Sequence, residues 1–242
     1  MKKSLLLGLS TLALIGTATV SHARMNDNSW YVGAGASWIG TNETNKFSMN
    51  TGPDADEQSG IHKIGLEDKA AFGGTLLVGK NLTDNMFSEL GYSFDTSSAN
   101  ARKTVDNIAG DSTDVNLTLN RMHTYSLGLG YSTSMNESLD AYFKISALFT
   151  QFQVDNKVSD IAEGGEYGSA SKKQWRWGWA PTIGLAKDLG RGFNLKGDYS
   201  YQMYSRIRQG LNPQGNAGAD ANTLNKIKPR YHVVSVTLTK SF

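Results

Sequence analysis

An all-β chain closing into an eight-stranded, up-and-down antiparallel transmembrane barrel is the fold class the sequence predicts, on three observations. Past residue 23, short segments with an apolar residue at every second position recur, while no apolar run is long enough to cross a membrane as a helix. The polar stretches between these segments are alternately long and short. The chain also stops on an alternating segment, 231–242, with Val234, Val236, Leu238 and Phe242 on one face and Ser235, Thr237 and Thr239 on the other. A strand with lipid on one side and a small polar lumen on the other reads this way.

Met1-Lys2-Lys3, the apolar run 5–20 and the small-residue site Ser21-His22-Ala23 read as a secretory signal peptide over residues 1–23, leaving 24–242 as one barrel domain. The run falls short of the roughly 20 apolar residues a transmembrane helix needs. The first strand, 30–39, sets Trp30, Val32, Ala34, Ala36 and Trp38 against Tyr31, Gly33, Gly35 and Ser37. Its two tryptophans lie roughly 20 Å apart along the membrane normal, for a rise of about 3.3 Å per residue and a tilt of about 40°, so they bracket an apolar band. Residues 40–68, with Gly52-Pro53 and the acidic Asp54, Asp56 and Glu57, read as a long loop.

Strand two, 69–80, contains Gly74-Thr75-Leu76-Leu77-Val78-Gly79-Lys80, which has the spacing of a phosphate-binding loop. Asn81 stands where Ser or Thr should follow, the intervening residues favour strand, and Thr83-Asp84-Asn85 turns the chain where a helix should begin. The glycines therefore belong to strand packing. Strand three, 86–94, directs Leu90, Tyr92 and Phe94 outward and Glu89 and Gly91 inward. A second loop, 95–115, precedes strand four, 117–131, with Tyr125, Leu127, Leu129 and Tyr131 opposed to Ser126, Gly128 and Gly130.

After a short turn, strand five, 139–152, places Tyr142, Lys144 and Ser146 opposite Phe143, Ile145 and Phe149, and the lysine implies a polar interior. Residues 153–173 read as the third loop. Strand six carries Trp175, Trp177 and Trp179 on one face, as at a membrane interface, and Pro181 predicts a broken ladder there. Strand seven sets Phe193, Leu195, Tyr199, Tyr201 and Met203 against Asn194, Lys196, Asp198, Ser200 and Gln202. Residues 205–229 are the fourth loop. Short turns after strands two, four and six, and long loops after the others, put the loops outside the cell and both termini in the periplasm.

Composition excludes several functions. The 26 Gly against 4 Pro favour closely spaced backbones over linker-joined domains. Without cysteine the chain has neither a lipoprotein anchor nor disulfides. Removing the leader with Lys2 and Lys3 leaves 22 basic against 22 acidic residues, so overall charge makes no case for nucleic acid.

Glu89-Leu90-Gly91-Tyr92, Tyr142-Phe143-Lys144 and Lys196-Gly197-Asp198-Tyr199 resemble the Glu-x-Gly-Tyr, Tyr-x-Arg and Arg-x-Glu-Tyr of strands three, five and seven in the small eight-stranded outer-membrane barrels. That family includes the outer-membrane protein A-like barrel domain and the opacity-type surface proteins. The resemblance covers most strands and none of the loops. It implies a narrow, charge-plugged lumen carried by Glu89, Lys144, Lys196 and Asp198, and a terminal Phe242 strand recognised by the barrel-assembly machinery. Gly128 and Ala186 stand where some members have a lysine and a glutamate that let such a network switch partners. Some relatives carry a peptidoglycan-binding domain after the barrel, and none is expected beyond Phe242.

Little catalytic chemistry is legible. No His-Glu-x-x-His supports zinc, and the Asp54, Asp56, Glu57 cluster lacks a calcium-loop pattern, so no metal or cofactor is expected. A lipid A-modifying esterase needs a serine beside a base, but His123 and Ser126, three residues apart on a strand, fall on opposite faces. The chain is therefore not expected to be an enzyme. The fourth loop and its flanks gather Arg206, Arg208, Lys226, Lys228 and Arg230, a basic patch suited to lipopolysaccharide phosphates or to anionic polymers on a host cell. Adhesin-like binding by the surface loops is the first functional expectation. A narrow porin-like channel, with small residues such as Gly33, Gly91, Gly128 and Gly184 leaving water-filled space, is the alternative.

Overall fold

In a computed structural model the described residues are 29–41, 46–49, 62–65, 70–96, 98–106, 112–160, 166–211 and 223–242, and every regular element among them is a strand. In chain order these are β1 (Trp30–Thr41), β2 (Lys46–Met49), β3 (His62–Gly65), β4 (Ala71–Asn81), β5 (Met86–Asp95), β6 (Ser98–Asp106) and β7 (Ser112–Asn136). They continue with β8 (Leu139–Asp160), β9 (Glu166–Gly190), β10 (Phe193–Tyr204), β11 (Ile207–Leu211), β12 (Thr223–Ile227) and β13 (Arg230–Ser241). The proposed leader, residues 1–23, and the acidic cluster Asp54, Asp56 and Glu57 lie outside the described residues.

Eight antiparallel strands close on themselves in the order β5-β4-β1-β13-β10-β9-β8-β7, and the β5–β7 ladder completes the ring. Closure leaves no membrane-facing edge with unpaired backbone groups, which hydrocarbon would penalise heavily. The turns at 82–85, 137–138 and 191–192 are short, and the last uses positive φ at Gly190, Arg191 and Gly192. Outward alternation holds through the barrel: Val32, Leu76, Leu90, Leu127, Ile145, Ile183, Val236 and Leu238 are all exposed, as lipid-facing residues must be.

Two of the expected loops are largely strand. β6 continues the path of β5 and pairs with the outer part of β7, from Ser98 with Asn120 to Asp106 with Ser112, so most of 95–115 is sheet. The β8–β9 ladder runs without interruption through Gln153 with Lys173 and on to Lys157 with Ser169, so 153–173 is mostly a hairpin stem. The fourth loop contains the β11–β12 hairpin and the first contains β2–β3. Polar composition hid these strands, because a sheet above a membrane needs no lipid-facing apolar residues. At about 3.3 Å per residue and a tilt near 40°, the 25 residues of β9 rise roughly 60 Å, more than twice the ~25 Å apolar band.

Pro181 breaks its ladder on one side only. It pairs in register with Ile145 of β8, whereas pairing with β10 passes from Thr182–Ser200 to Trp179–Met203. Proline has no N–H to donate, and the unpaired stretch lies where that donor would have pointed.

The barrel interior has two unlike regions. Its periplasmic half is polar, as expected from the strand pattern. Its outer half holds an apolar core of Ile39, Leu117, Leu119, Leu148, Phe152, Val154, Ile207, Ile227, Tyr231 and Val233, with Ala71, Ala180 and Tyr204. A uniformly polar interior is thus corrected, and one bulge shows how. In β7 the apolar positions keep odd numbering throughout, from Leu117 and Leu119 to Tyr125, Leu127, Leu129 and Tyr131. Between Arg121 and His123 the register with β8 slips, leaving Met122 as an extra residue. Below it odd residues face lipid; above it odd residues face inward, so Leu117 and Leu119 are buried to 1 % exposure.

Candidate functional site: the lumen network and the outer rim

Glu89 stands at the centre of the lower lumen. From β5, β8 and β10 respectively, Glu89, Lys144 and Lys196 all point inward by strand alternation. Lys144 Nζ lies 2.5 Å from Glu89 Oε2 and Lys196 Nζ 2.6 Å from Oε1. Tyr31 donates its hydroxyl to Glu89 Oε1 at 2.9 Å, so one buried carboxylate is bound by three strands besides its own. Asp198 is held differently: Tyr142 donates to Oδ2 at 3.0 Å and Ser235 to Oδ1 at 2.6 Å. The four expected charges therefore meet as one Glu bridging two lysines, with the second acid anchored by hydroxyls. Two acids and two lysines leave the cluster formally neutral, the condition for burying charge at tolerable cost.

Tyr31 and Tyr142 are members of this network that sequence reasoning had not assigned. Lys196 sits over the rings of Tyr31, Phe87 and Tyr142 at 4.4, 5.0 and 5.7 Å, a cation against three aromatic faces. Each ring lies across a glycine of the neighbouring strand: Tyr31 is register partner of Gly79, Phe87 of Gly130 and Tyr142 of Gly184. A Cβ at those glycines would meet the rings at 2.1, 2.2 and 2.4 Å. Glycine beside a large inward-facing residue was the sequence signal for these members.

The small residues expected to leave water-filled space do not leave it at their own positions. A Cβ on Gly33 would strike the Thr239 side chain at 2.7 Å, one on Gly91 the Ser126 hydroxyl at 2.5 Å, and one on Gly128 the Ser146 hydroxyl at 2.7 Å. Gly184 is covered by Tyr142.

A second ion pair, also unassigned from sequence, separates the polar and apolar halves. Arg121, turned inward by the bulge, places Nε 3.0 Å from Asp95 Oδ2, with both side chains at most 2 % exposed. Its guanidinium lies 5.3 Å from the Tyr231 ring, and Nε also donates to Thr124 Oγ1 at 3.3 Å. Thr150 bonds Thr124 and Tyr204, and Tyr204 donates to Gln202, so a polar layer crosses the lumen directly beneath Phe152.

Outside, Trp30 is exposed at the periplasmic end beside Lys80, and Trp38 is half-buried near the outer end of β1. Trp175, Trp177 and Trp179 are exposed on the outward face of β9. The ten residue steps from Trp175 to Leu185 span roughly 25 Å of membrane normal at ordinary strand rise and tilt. Trp175 and Trp177 belong to a run of rings across β5, β7, β8 and β9 that includes Tyr92, His123, Tyr125 and Phe149. His123 faces out and shares a 2.9 Å hydrogen bond with Tyr92, whereas Ser126 faces the lumen beside Gly91, so the two form no catalytic pair.

At the rim, Arg208 and Lys226 are direct cross-strand partners in the β11–β12 hairpin. Exposed Arg206 immediately precedes β11 and exposed Lys228 immediately follows β12, so two of the four positions fall on adjacent strands and the other two flank them. Beneath them Ile207 and Ile227 pair and are fully buried, tying the hairpin to the apolar core. Arg230 is set apart, half-buried on β13 opposite Met203. The side chains of Arg208 and Lys226 are outside the described residues.

The model of the outer membrane protein beta-barrel domain family matches residues 10–242. The chain belongs to that family. It is accordingly a barrel of the bacterial outer membrane. No curated protein matches the sequence. Among solved structures it is similar to the outer membrane protein OprG from Pseudomonas aeruginosa, at 14 % identity and a TM-score of 0.48 over 89 % of this chain and 98 % of that one. It is similar to Neisserial surface protein A at 13 % identity and a TM-score of 0.43, over 88 % and 97 %. It is also similar to Ail, the attachment invasion locus protein of Yersinia pestis, solved with the heparin analogue sucrose octasulfate, at 13 % identity and a TM-score of 0.39 over 89 % and 99 %.

Proposed function

We propose that this family member is a sealed outer-membrane barrel whose outer rim binds anionic glycans, in the manner of an adhesin. The observation that carries the reading is the register of β11–β12, which sets Arg208 directly against Lys226, with Arg206 and Lys228 side by side in sequence register at the base of the hairpin. Like charges directly opposite one another destabilise a sheet, and a polyanion relieves that repulsion. The buried Ile207–Ile227 pair fastens the hairpin to the barrel, so the four positions sit on a supported hairpin. In this reading residues 1–23 are a leader removed on export, and Phe242, 74 % exposed at the end of the closing strand, is the residue offered to the assembly machinery.

A solute channel is the weaker reading, because the lower lumen is crossed by the Glu89 network and its three rings, and the upper lumen is filled by an apolar core. Replacing Arg206, Arg208, Lys226 and Lys228 together by Gln tests the rim. Binding of whole cells to immobilised heparin and to host cells is expected to fall to background, and the binding of the unaltered protein to weaken steeply with salt. Undiminished binding by a variant that still shows heat-modifiable gel mobility overturns the proposal.

A further inference from the structure

The outward face of β7, β8 and β9 carries a second feature, distinct from the basic rim. Tyr125, Phe149 and Trp177 are register partners across the three strands, and Trp175 stacks on Phe149 at 4.7 Å and on Tyr125 at 6.0 Å. This stack marks the outer headgroup plane, since exposed aromatic rings settle at that depth. Directly above it the same face becomes an array of hydrogen-bonding groups. Asn120 and Gln153 are register partners, as are Gln153 and Lys173, and Asp155 and Ser171. Asn120 Nδ2 donates to Asp155 Oδ2 at 3.1 Å, and Gln153 Nε2 donates to Asp155 Oδ1 and Oδ2 at 3.0 and 3.2 Å and to Ser171 Oγ at 3.3 Å.

We infer that this face seats the saccharide headgroup of a phosphorylated glycolipid of the outer leaflet. A sugar ring offers apolar C–H faces and vicinal hydroxyls, and the site offers both complements: exposed aromatic rings below, and a carboxylate flanked by two amides above. The bonds holding Asp155 use N–H groups of Asn120 and Gln153; the carbonyl oxygens Oδ1 of Asn120 and Oε1 of Gln153 take no part in them. An ionised carboxylate has about four acceptor positions, so Asp155 keeps capacity for a hydroxyl donor. Exposed Lys173 lies two residues above Trp175 on the same face of β9 and supplies the charge for a phosphate. The occupant is a lipid of the protein's own leaflet because the array begins within one residue pair of the ring stack. There the membrane's own headgroups lie, and the acyl chains of such a lipid continue down onto Trp177, Trp179 and Leu127, all exposed.

The test compares the full-length barrel with Gln153→Ala/Asp155→Ala and, separately, with Lys173→Gln, each in nanodiscs carrying heptose-deficient lipopolysaccharide or phosphatidylglycerol. Lipid retention is read by native mass spectrometry. The unaltered barrel is expected to retain the glycolipid in preference to phosphatidylglycerol, and the double variant to retain it about tenfold less while holding phosphatidylglycerol unchanged. Lys173→Gln, a surface change that leaves the fold intact, is expected to weaken the glycolipid several-fold. Equal retention of both lipids by the unaltered barrel, or glycolipid retention within twofold of normal in both variants, overturns the assignment. So does equally tight binding of the delipidated core oligosaccharide, which would make the ligand a free glycan. Heparin binding through the β11–β12 rim is expected to persist in both variants, so failure here and failure of the rim proposal are distinguishable.

Discussion

The two halves of this barrel solve opposite problems with the same strands. Below Arg121 the outside is apolar and the inside polar, because the surroundings are hydrocarbon and an eight-stranded lumen holds only side chains. Above Arg121 the outside carries Asn120, Gln153, Asp155 and Lys173 while Leu117, Leu119, Phe152 and Val154 are buried, as in a water-soluble sheet folded on itself. Every strand that crosses the boundary must exchange the faces its apolar residues occupy. β7 does so geometrically, keeping its sequence alternation and inserting Met122 as a bulge. β8 and β13 do so chemically. In β8 the apolar residues move from odd positions, ending at Phe149, to even ones, Phe152 and Val154, and in β13 they move between Val233 and Val234. A bulge and a phase slip in composition are interchangeable means of inverting a strand.

Deleting Met122 is the sharpest test of that equivalence. Without the extra residue Arg121 adjoins His123, still opposes Phe152 and still faces inward, so Leu119 and Leu117 keep their faces and β7 inverts by composition alone, as β8 does. The expected cost in urea unfolding is about 1 kcal/mol, the usual size for a change that removes neither an ion pair nor a core leucine. The outer extension should stay as resistant to added protease as the unaltered one, with the transmembrane part heat-modifiable. An extension made protease-sensitive would show that the bulge is needed for the inversion and is not interchangeable with a phase slip.

The same contrast explains what was legible in the sequence. The membrane half was readable strand by strand, because hydrocarbon outside and small polar groups inside give an alternation with one phase and one meaning. Glu89, Lys144, Lys196 and Asp198 stood out as charges on otherwise small-residue faces. The outer half was not, because the polar sequence of 98–106 and 153–173 reads as loop once alternation is taken to mean lipid. Leu117 and Leu119 carried the right pattern with the wrong face implied, and no local residue type announces a bulge at Met122. The Arg121–Asp95 pair was hidden for the same reason: its geometry depends on that slip in register. The basic rim was readable as composition, and only the β11–β12 register turned it into opposed pairs.

In the lower half, Glu89→Ala should be the most damaging single substitution, for it leaves Lys144 and Lys196 buried without their shared partner. A loss of roughly 3–5 kcal/mol in urea unfolding followed by tryptophan fluorescence is expected, with much of it recovered when Lys196 is also changed to Met. Planar-bilayer recording on the same proteins sharpens the point. The unaltered barrel should hold no steady conductance, and a conductance that it shows and Glu89→Ala alters would mean that the network gates a path instead of closing one.

The smallest effects separate inside from outside most cleanly, through two glycines with nearly the same steric problem. A Cβ at Gly130 would lie 2.2 Å from Cζ of Phe87, and one at Gly74 would lie 2.5 Å from Cζ of Phe94. Phe87 is 1 % exposed, packed edge-on against Tyr142 at 5.7 Å and under Lys196, so it has nowhere to move. Phe94 is 51 % exposed on the outer face and can swing away from the strand. Gly130→Ala should therefore cost about 1–3 kcal/mol, the usual penalty for overpacking a filled interior. Gly74→Ala should stay within about 0.5 kcal/mol, as surface changes away from such features do. Equal losses in the two urea midpoints would mean that the lumen around Phe87 is loose enough to yield, and the sealed-plug account of the lower half would fail with it.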